Sequence, residues 1–197
     1  MDLRPITLRG SFVRLEPLSM DHHKNLCSVG LDPELWNFTT SVVRTPDEMK
    51  SYIETALKWQ TEGHALPFVQ IDQSTNAVVG STRYAAIDHH HRRLEIGWTW
   101  IARSWQRTAI NTEAKYLLLK HAFETLGCLR VEFKTDSINE QSRKALLRIG
   151  AREEGILRNH MITHSGRIRH SVYYSILDAE WSEVKERLEQ LLRLRQQ

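Results

Sequence analysis

The period of hydrophobic positions changes several times along the chain, and each change marks an element. Residues 10–19, GSFVRLEPLS, alternate apolar and polar and predict a strand. SMDHHKNLCSVGL follows as a short helix, with Ser19 or Asp21 placed to cap it. Between 45 and 63 the apolar residues Met49, Tyr52, Ile53, Ala56, Leu57 and Trp59 recur mostly at helical spacing. Thr45 is the expected N-cap there. Pro46 suits the first helical position, Glu48 completes a capping box and Gly63 is the stop.

The period then falls to two. Strands are predicted over 66–72, 77–88 and 92–102, separated by QSTN and HHHR turns. Such short connections favour antiparallel pairing. A helix follows over 112–127, with Ala114, Leu117, Leu118, His121 and Ala122 on one face and Gly127 as stop. Next come a strand over 128–136, a helix over 139–150 ended by Gly150, and strands in REEGILRNHMIT and IRHSVYYSIL across HSGR. DAEWSEVKERLEQLLRLRQQ closes the chain as a helix capped by Asp178. The fold class is α+β with a mixed sheet: an antiparallel meander, then a β-α-β unit over residues 92–136, flanked by helices. A crossover helix makes the two strands of that unit parallel. A parallel pair joined to an antiparallel meander must splay or switch, and open sheets bind ligands at the carboxyl ends of strands at such a point.

Composition adds limits. The 197 residues carry no repeat or linker and are expected to form a single domain, 1–197. With 41% hydrophobic and 26% charged residues, a core can be buried without disulfide staples. Cys27 and Cys128 sit in apolar surroundings and read as reduced thiols, which points to the cytoplasm. The N-terminus MDLRPITLRG has no apolar leader core, and no window approaches about 18 apolar residues, so no membrane partner is expected. The net charge of +3 is mild, and the basic residues are dispersed rather than clustered with aromatics. No nucleic-acid partner is expected.

One stretch stands where the β-α-β unit would bind: WQRTAINTEAK, Trp105 to Lys115. Phosphate-holding loops are usually rich in glycine, and this one has none. A helix N-terminus nonetheless offers about four unpaired N–H groups and partial positive charge. Gln106, Arg107, Thr108, Ala109, Ile110 and Asn111 would present successive backbone N–H groups, Arg107 a full charge, and Thr108 and Asn111 polar side chains. That suits a pyrophosphate. Equally, Thr108 or Asn111 is a plain N-cap and nothing binds.

The segments RLEIGWTWI, WQRTAINTEAKYLLLKHAFE, LGCLRVEFKTD, NEQSRKALLRIGA and EEGILRNHM, in that order, resemble the GNAT acyltransferases, most closely the branch named after ribosomal-protein N-acetyltransferases. The resemblance covers residues 8–180, and no GxGxxG, GxxxxGK[ST] or GxSxG motif competes with it. It implies a splayed mixed sheet and acetyl transfer from acetyl-CoA to a primary amine, by direct transfer in a ternary complex and without a metal. Non-catalytic CoA binding or sensing on the same fold is the alternative. The family's loop usually reads Q/R-x-x-G-x-G/A. Gln106 fits it, Ala109 and Asn111 replace the small residues, and Asn111 with Thr112 begins a variant used within the branch. Ala109 is expected at negative φ, with binding retained. The resemblance also lays the pantetheine arm along Trp100, Ile101 and Ala102, with an N–H near Trp100 polarising the thioester carbonyl. It places Asn139 against pantetheine and Ser142 near the thiol as proton donor. Glu95, among apolar neighbours in LEIGW, is the candidate base, directly or through a water; its other reading is a surface glutamate on an alternating strand.

Remaining features read as structural. DHHHRR (88–93) cannot converge on one ion from a turn, and no metal site is expected. Of Tyr173 and Tyr174, only one can face inward. Cys128 reads as core. His22, His23 and Trp36 lie where this family shapes its acceptor pocket, though packing explains each. The apolar side of the last helix (Trp181, Val184, Leu188, Leu191 and Leu192) packs on the body or on a second subunit, so a homodimer is possible.

Overall fold

A computed structural model describes residues 1–195. Eight strands among them form one sheet: β1 (Leu8–Arg9), β2 (Val13–Pro17), β3 (Ala65–Asp72), β4 (Val78–Asp88), β5 (Arg93–Ile101), β6 (Arg130–Asp136), β7 (Arg152–Ile162) and β8 (Ile168–Leu177). Their spatial order is β1-β2-β3-β4-β5-β6-β8-β7. The helices are α1 (His23–Gly30), α2 (Pro46–Thr61), α3 (Ile110–Lys120), α4 (Glu140–Arg148) and α5 (Trp181–Arg193).

The first five strands run antiparallel, and β5 and β6 are the parallel pair that the crossover α3 requires. Their contact is brief. Arg93, Leu94 and Glu95 face Arg130, Val131 and Glu132, and beyond Glu95 the strands part while β5 continues to Ile101. β6 turns its other side to β8 along its whole length. The expected splay is therefore present, and it opens at Glu95.

Two cores sit on the two faces. Leu94, Ile96, Val131, Phe133 and Ile176 pack under Ile110, Ala114 and Leu118 of α3 and Leu188 of α5. Val69, Ile71 and Trp100 pack under Leu26 of α1 and Met49 and Ile53 of α2, with Trp36 between. A β-bulge re-aims β5 between these cores. One residue of β4, Thr82, stands opposite two of β5, Trp98 and Thr99, and Trp98 takes φ 48°. The extra residue reverses the alternation. Trp98 thereby shares the α1/α2 side with Glu95, while Thr99 turns toward α3.

Local chemistry explains the elements. Thr45 Oγ1 accepts the Glu48 N–H at 3.2 Å, and the Glu48 carboxylate accepts the Thr45 N–H at 3.0 Å, the expected capping box. Gly63 and Gly127 follow their helices at φ 76° and 66°, a left-handed stop that glycine takes without strain. Two expectations need correction. Asp178 does not cap the last helix: its carboxylate accepts the next N–H, of Ala179, inside a 3-10 turn, and α5 starts only at Trp181. The helix after the loop starts at Ile110, two residues early, and widens into a π turn at His121–Thr125. The two-residue β1 is too short to show alternation and was not expected. The apolar side of α5 packs on the body, with Trp181 stacked 5.4 Å from Phe123. Tyr174 is the inward tyrosine; Tyr173 lies on the opposite face beside His160.

Candidate active site

The loop between β5 and α3 is set by a short turn at Arg103–Trp105, anchored where Trp105 Nε1 donates to Asp72 at 2.9 Å. Ala109 has φ −69°, negative as expected; the left-handed residue is Arg107, at φ 63°. Ala109 is the N-cap and supplies no side chain, so neither Thr108 nor Asn111 caps by position, although Thr108 Oγ1 accepts the Ile110 N–H at 3.3 Å. The N–H groups of Arg107, Thr108, Ala109, Asn111 and Thr112 take no partner among the described residues, and the Arg107 and Thr108 side chains are exposed. Gln106 is different. Its N–H goes back to Arg103, and its carboxamide donates to the Ile101 carbonyl at 2.9 Å and accepts from Gln141 of α4 at 3.2 Å. It positions the loop against β5 and α4 rather than presenting donors.

The rest of the motif is divided among three tasks. Thr112 is buried and accepts from Arg148 of α4 at 2.8 Å, so a cation reaches the first turn of α3. Burial and the like charges of Arg195 and Arg187 lower the pKa of that guanidinium. Glu113 takes the N–H groups of Ser11, Phe12 and Val13 at 2.6–2.8 Å and holds the β1–β2 turn. Lys115 is buried, and its Nζ donates to Thr99 Oγ1 at 2.8 Å, 5.9 Å from the Phe133 ring. It thus stands between β5 and β6 in the mouth of the splay. Burial pulls its pKa down to about 7, with the Glu95 charge opposing.

Glu95 is not a surface glutamate. It is 3% exposed, on the α1/α2 side at the last residue before the strands part. Burial raises its pKa, and Lys134 of β6, 2.8 Å away, pulls it back. Lys134 also lies 5.5 Å from the Trp98 ring. Trp100 and Ile101 continue β5 below, both buried, and Ala102 donates its N–H to Val79 at 2.8 Å. On α4, Asn139 is the N-cap, its side chain accepting the Ser142 N–H at 3.0 Å, which occupies its oxygen. Ser142 is half-buried in the first turn, and its hydroxyl has no partner among the described residues. The Gln141–Gln106 contact brings this turn against the loop.

Trp36 packs in the α1/α2 core, 5.5 Å from Tyr52 and 5.6 Å from Trp100. His22 bonds Ser19, and His23 bonds the Pro46 carbonyl at 2.8 Å. Sequence reasoning passed over Lys115, Lys134 and Trp98. Lys115 had a signal: it precedes the buried Leu118 and Leu119 by three and four residues, so it lies on the inner face of α3. Lys134 alternates with Val131, Phe133 and Thr135 and had to face away from the α3 core. Trp98 gave none, because the bulge that turns it is invisible in the alternation.

A gap in the sheet, a loop of N–H donors and a buried carboxylate thus lie together on a fold that comparison with known proteins identifies. The family model described as acetyltransferase (GNAT) domain matches residues 13–152. YdaF of Bacillus subtilis (strain 168), which carries a ribosomal N-acetyltransferase name, is 38% identical over 99 residues. That match covers 50% of this chain and 53% of YdaF, so the chain spans about half the length of this relative. Among solved structures, an acetyltransferase-named protein of T. thermophilus aligns over 98% of this chain and 100% of its own, with 36% identity and a TM-score of 0.89. A GCN5-related N-acetyltransferase from Brucella melitensis aligns over 96% and 86%, with 30% identity and a TM-score of 0.89. The chain belongs to the GNAT acetyltransferase domain family.

Proposed function

We propose that this protein is an acetyl-CoA-dependent N-acetyltransferase that passes the acetyl group to a primary amine in a ternary complex, with residues 1–197 acting as one unit. The observation that carries this reading is the parting of β5 and β6 at Glu95, between unpaired loop N–H groups and a buried carboxylate. The donors fit a pyrophosphate: backbone N–H groups of Arg107 to Ala109, Asn111 and Thr112 at a helix N-terminus, with the Arg107 guanidinium free in solvent. Gln106 contributes by holding the loop on Ile101 and α4. Backbone groups of Trp100 and Ile101 and the Asn139 side chain would hold the pantetheine arm; the expected part of Ala102 falls away, because its N–H is spent on Val79 and its carbonyl on the Trp105 N–H. When bound, acetyl-CoA supplies an acetyl group activated as a thioester.

The chain supplies the proton chemistry. Glu95, buried and raised in pKa, accepts a proton from the attacking amine, directly or through a water. Lys134 limits that rise and favours the ionised carboxylate. The unpaired Ser142 hydroxyl is the proton donor to the leaving thiolate. The Glu95–Lys134 ion pair also favours a second reading: a carboxylate held as a structural pair would leave a CoA-binding module without turnover. The two separate in one experiment. Calorimetry with CoA, followed by mass spectrometry of an amine panel and a cell extract incubated with acetyl-CoA, gives binding plus acetylated product under the first reading and binding alone under the second. The proposal further places the protein in the cytoplasm, acting on neither nucleic acid nor membranes. A homodimer would use a surface other than the apolar side of α5, which the body covers.

A further inference from the structure

The α1/α2 side of the sheet holds a buried arginine to which the chemistry above gives no task. Arg83 of β4 is 1% exposed. Its strand neighbours are Pro67 of β3 and Gly97 of β5, and neither offers a polar side chain. Aromatic rings box the guanidinium instead: Tyr52 at 5.1 Å, Trp98 at 5.3 Å and Trp59 at 5.6 Å from ring centre to Cζ. Nε and Nη2 are buried and make no hydrogen bond. Glu95, the carboxylate next along this face, is held by Lys134.

These two nitrogens share one edge of the guanidinium. Their N–H bonds run side by side and match the two oxygens of a carboxylate. Ring faces attract the cation but accept N–H groups only weakly, far less well than an oxygen does. A buried charge without a counter-ion is strongly unfavourable, and an apolar side chain of similar volume would avoid that cost. The arrangement lacks one thing, an anion on that edge.

We propose that the Nε/Nη2 edge of Arg83 binds a carboxylate of the acceptor, so that the acceptor is an amine that also bears an acid group. This rests on the amine acetylation proposed above and names its substrate class. The position fits. Gly97 faces Arg83 across β4–β5, and Glu95 Oε1 lies 2.5 Å from where a Cβ on Gly97 would stand. Base and anion receptor are therefore neighbours separated by a residue without a side chain. An amine directed at Glu95 and a carboxylate directed at Arg83 are a few bonds apart, as in a free amino acid or an N-terminal acidic residue. Trp59 and Trp98, both half-buried and meeting edge to face at 5.3 Å, lie on the guanidinium, and the proposal requires these rings to turn aside for the acid group to enter.

The test assays wild type, R83K and R83M with acetyl-CoA and matched acceptors. Leucine against leucinamide tests a free amino acid; Glu-Ala-Ala-amide against Gln-Ala-Ala-amide tests an N-terminal acidic residue. Expected is a preference of tenfold or more in kcat/KM for the acid member of one pair, lost in both variants, with KM for acetyl-CoA within twofold of wild type. Equal use of acid and amide by wild type, or a preference that survives in R83M, overturns the proposal. If no amine in the panel is acetylated, amine acetylation itself has failed, and Arg83 is judged by NMR on the wild-type protein with CoA. The Nε–H signal missing from R83K is followed while the same acids and amides are titrated in. A saturable shift with an acid and not with its amide upholds the anion site; no shift, or the same shift with both, overturns it. The NMR arm also decides the matter if R83M does not fold.

Discussion

Arg107 rather than Ala109 carries the strained backbone of the phosphate-type loop. A left-handed non-glycine residue costs about 1–2 kcal/mol, whereas alanine at φ −69° is at ease. Arg107→Gly is therefore expected to relieve strain of that order, read as a raised melting temperature, while weakening CoA binding in calorimetry through loss of the charge. Ala109→Gly should lower stability by about 0.5–1 kcal/mol and leave CoA affinity within about the same margin. Glu95 invites a different measurement. A base must be ionised, so kcat/KM should fall as pH drops through its raised pKa. Lys134→Met removes the charge that opposes that rise, so the acid limb of the pH profile should move to higher pH. Glu95→Gln should reduce kcat by about 10²–10⁴-fold, the usual worth of a positioned base, with CoA affinity little changed. Glu95 was legible as a candidate because charge in an apolar strand is conspicuous. Its partner was not, since Lys134 arrives from β6 across a contact that sequence spacing does not encode.

At the scale of elements, the motif NTEAK explains how a loop without glycine keeps its shape. Thr112 ties α3 to α4 through Arg148, Glu113 ties it to the β1–β2 turn, and Lys115 ties it to β5. Three side chains within one turn thus do by tethering what glycine does by freedom. The helices and strands could be read from period and caps because those signals are local. The cap at Asp178 could not, because a 3-10 turn and a helix start from the same residue types. Asn139 shows how a local role and a site role compete. Its oxygen is spent on the Ser142 N–H, so Asn139→Ala should cost about 1 kcal/mol in urea unfolding. If Asn139 also touches pantetheine, CoA affinity falls by more than that loss of stability explains.

At the scale of the whole molecule, a buried lysine placed where the sheet opens makes stability depend on pH. Unfolded lysine holds its proton to about pH 10.4, and Lys115 in the fold only to about 7. Between these values the unfolded chain binds more protons, so this group adds stability as pH rises from 7 toward 10 and imposes a constant penalty below 7. Lys115→Met should flatten that slope. It should also raise unfolding stability near pH 7 by on the order of 3 kcal/mol once the lost Thr99 hydrogen bond is allowed for, the gap closing as pH approaches 10. The splay that creates this environment has a mechanical consequence. Five strands lie on one side of it and three on the other, and among the described residues the backbone ladder that joins them is three residue pairs, all at one end. The sheet is built like tweezers whose arms are also linked by the Glu95–Lys134, Gln106–Gln141 and Thr112–Arg148 contacts, and whatever lies between the tips adds to those fastenings. Slow hydrogen exchange of amides facing the gap, and a single sharper melting transition, should then appear together on addition of CoA. Occupancy of the cleft would be felt as far away as β1 and β7, by residues that never touch it.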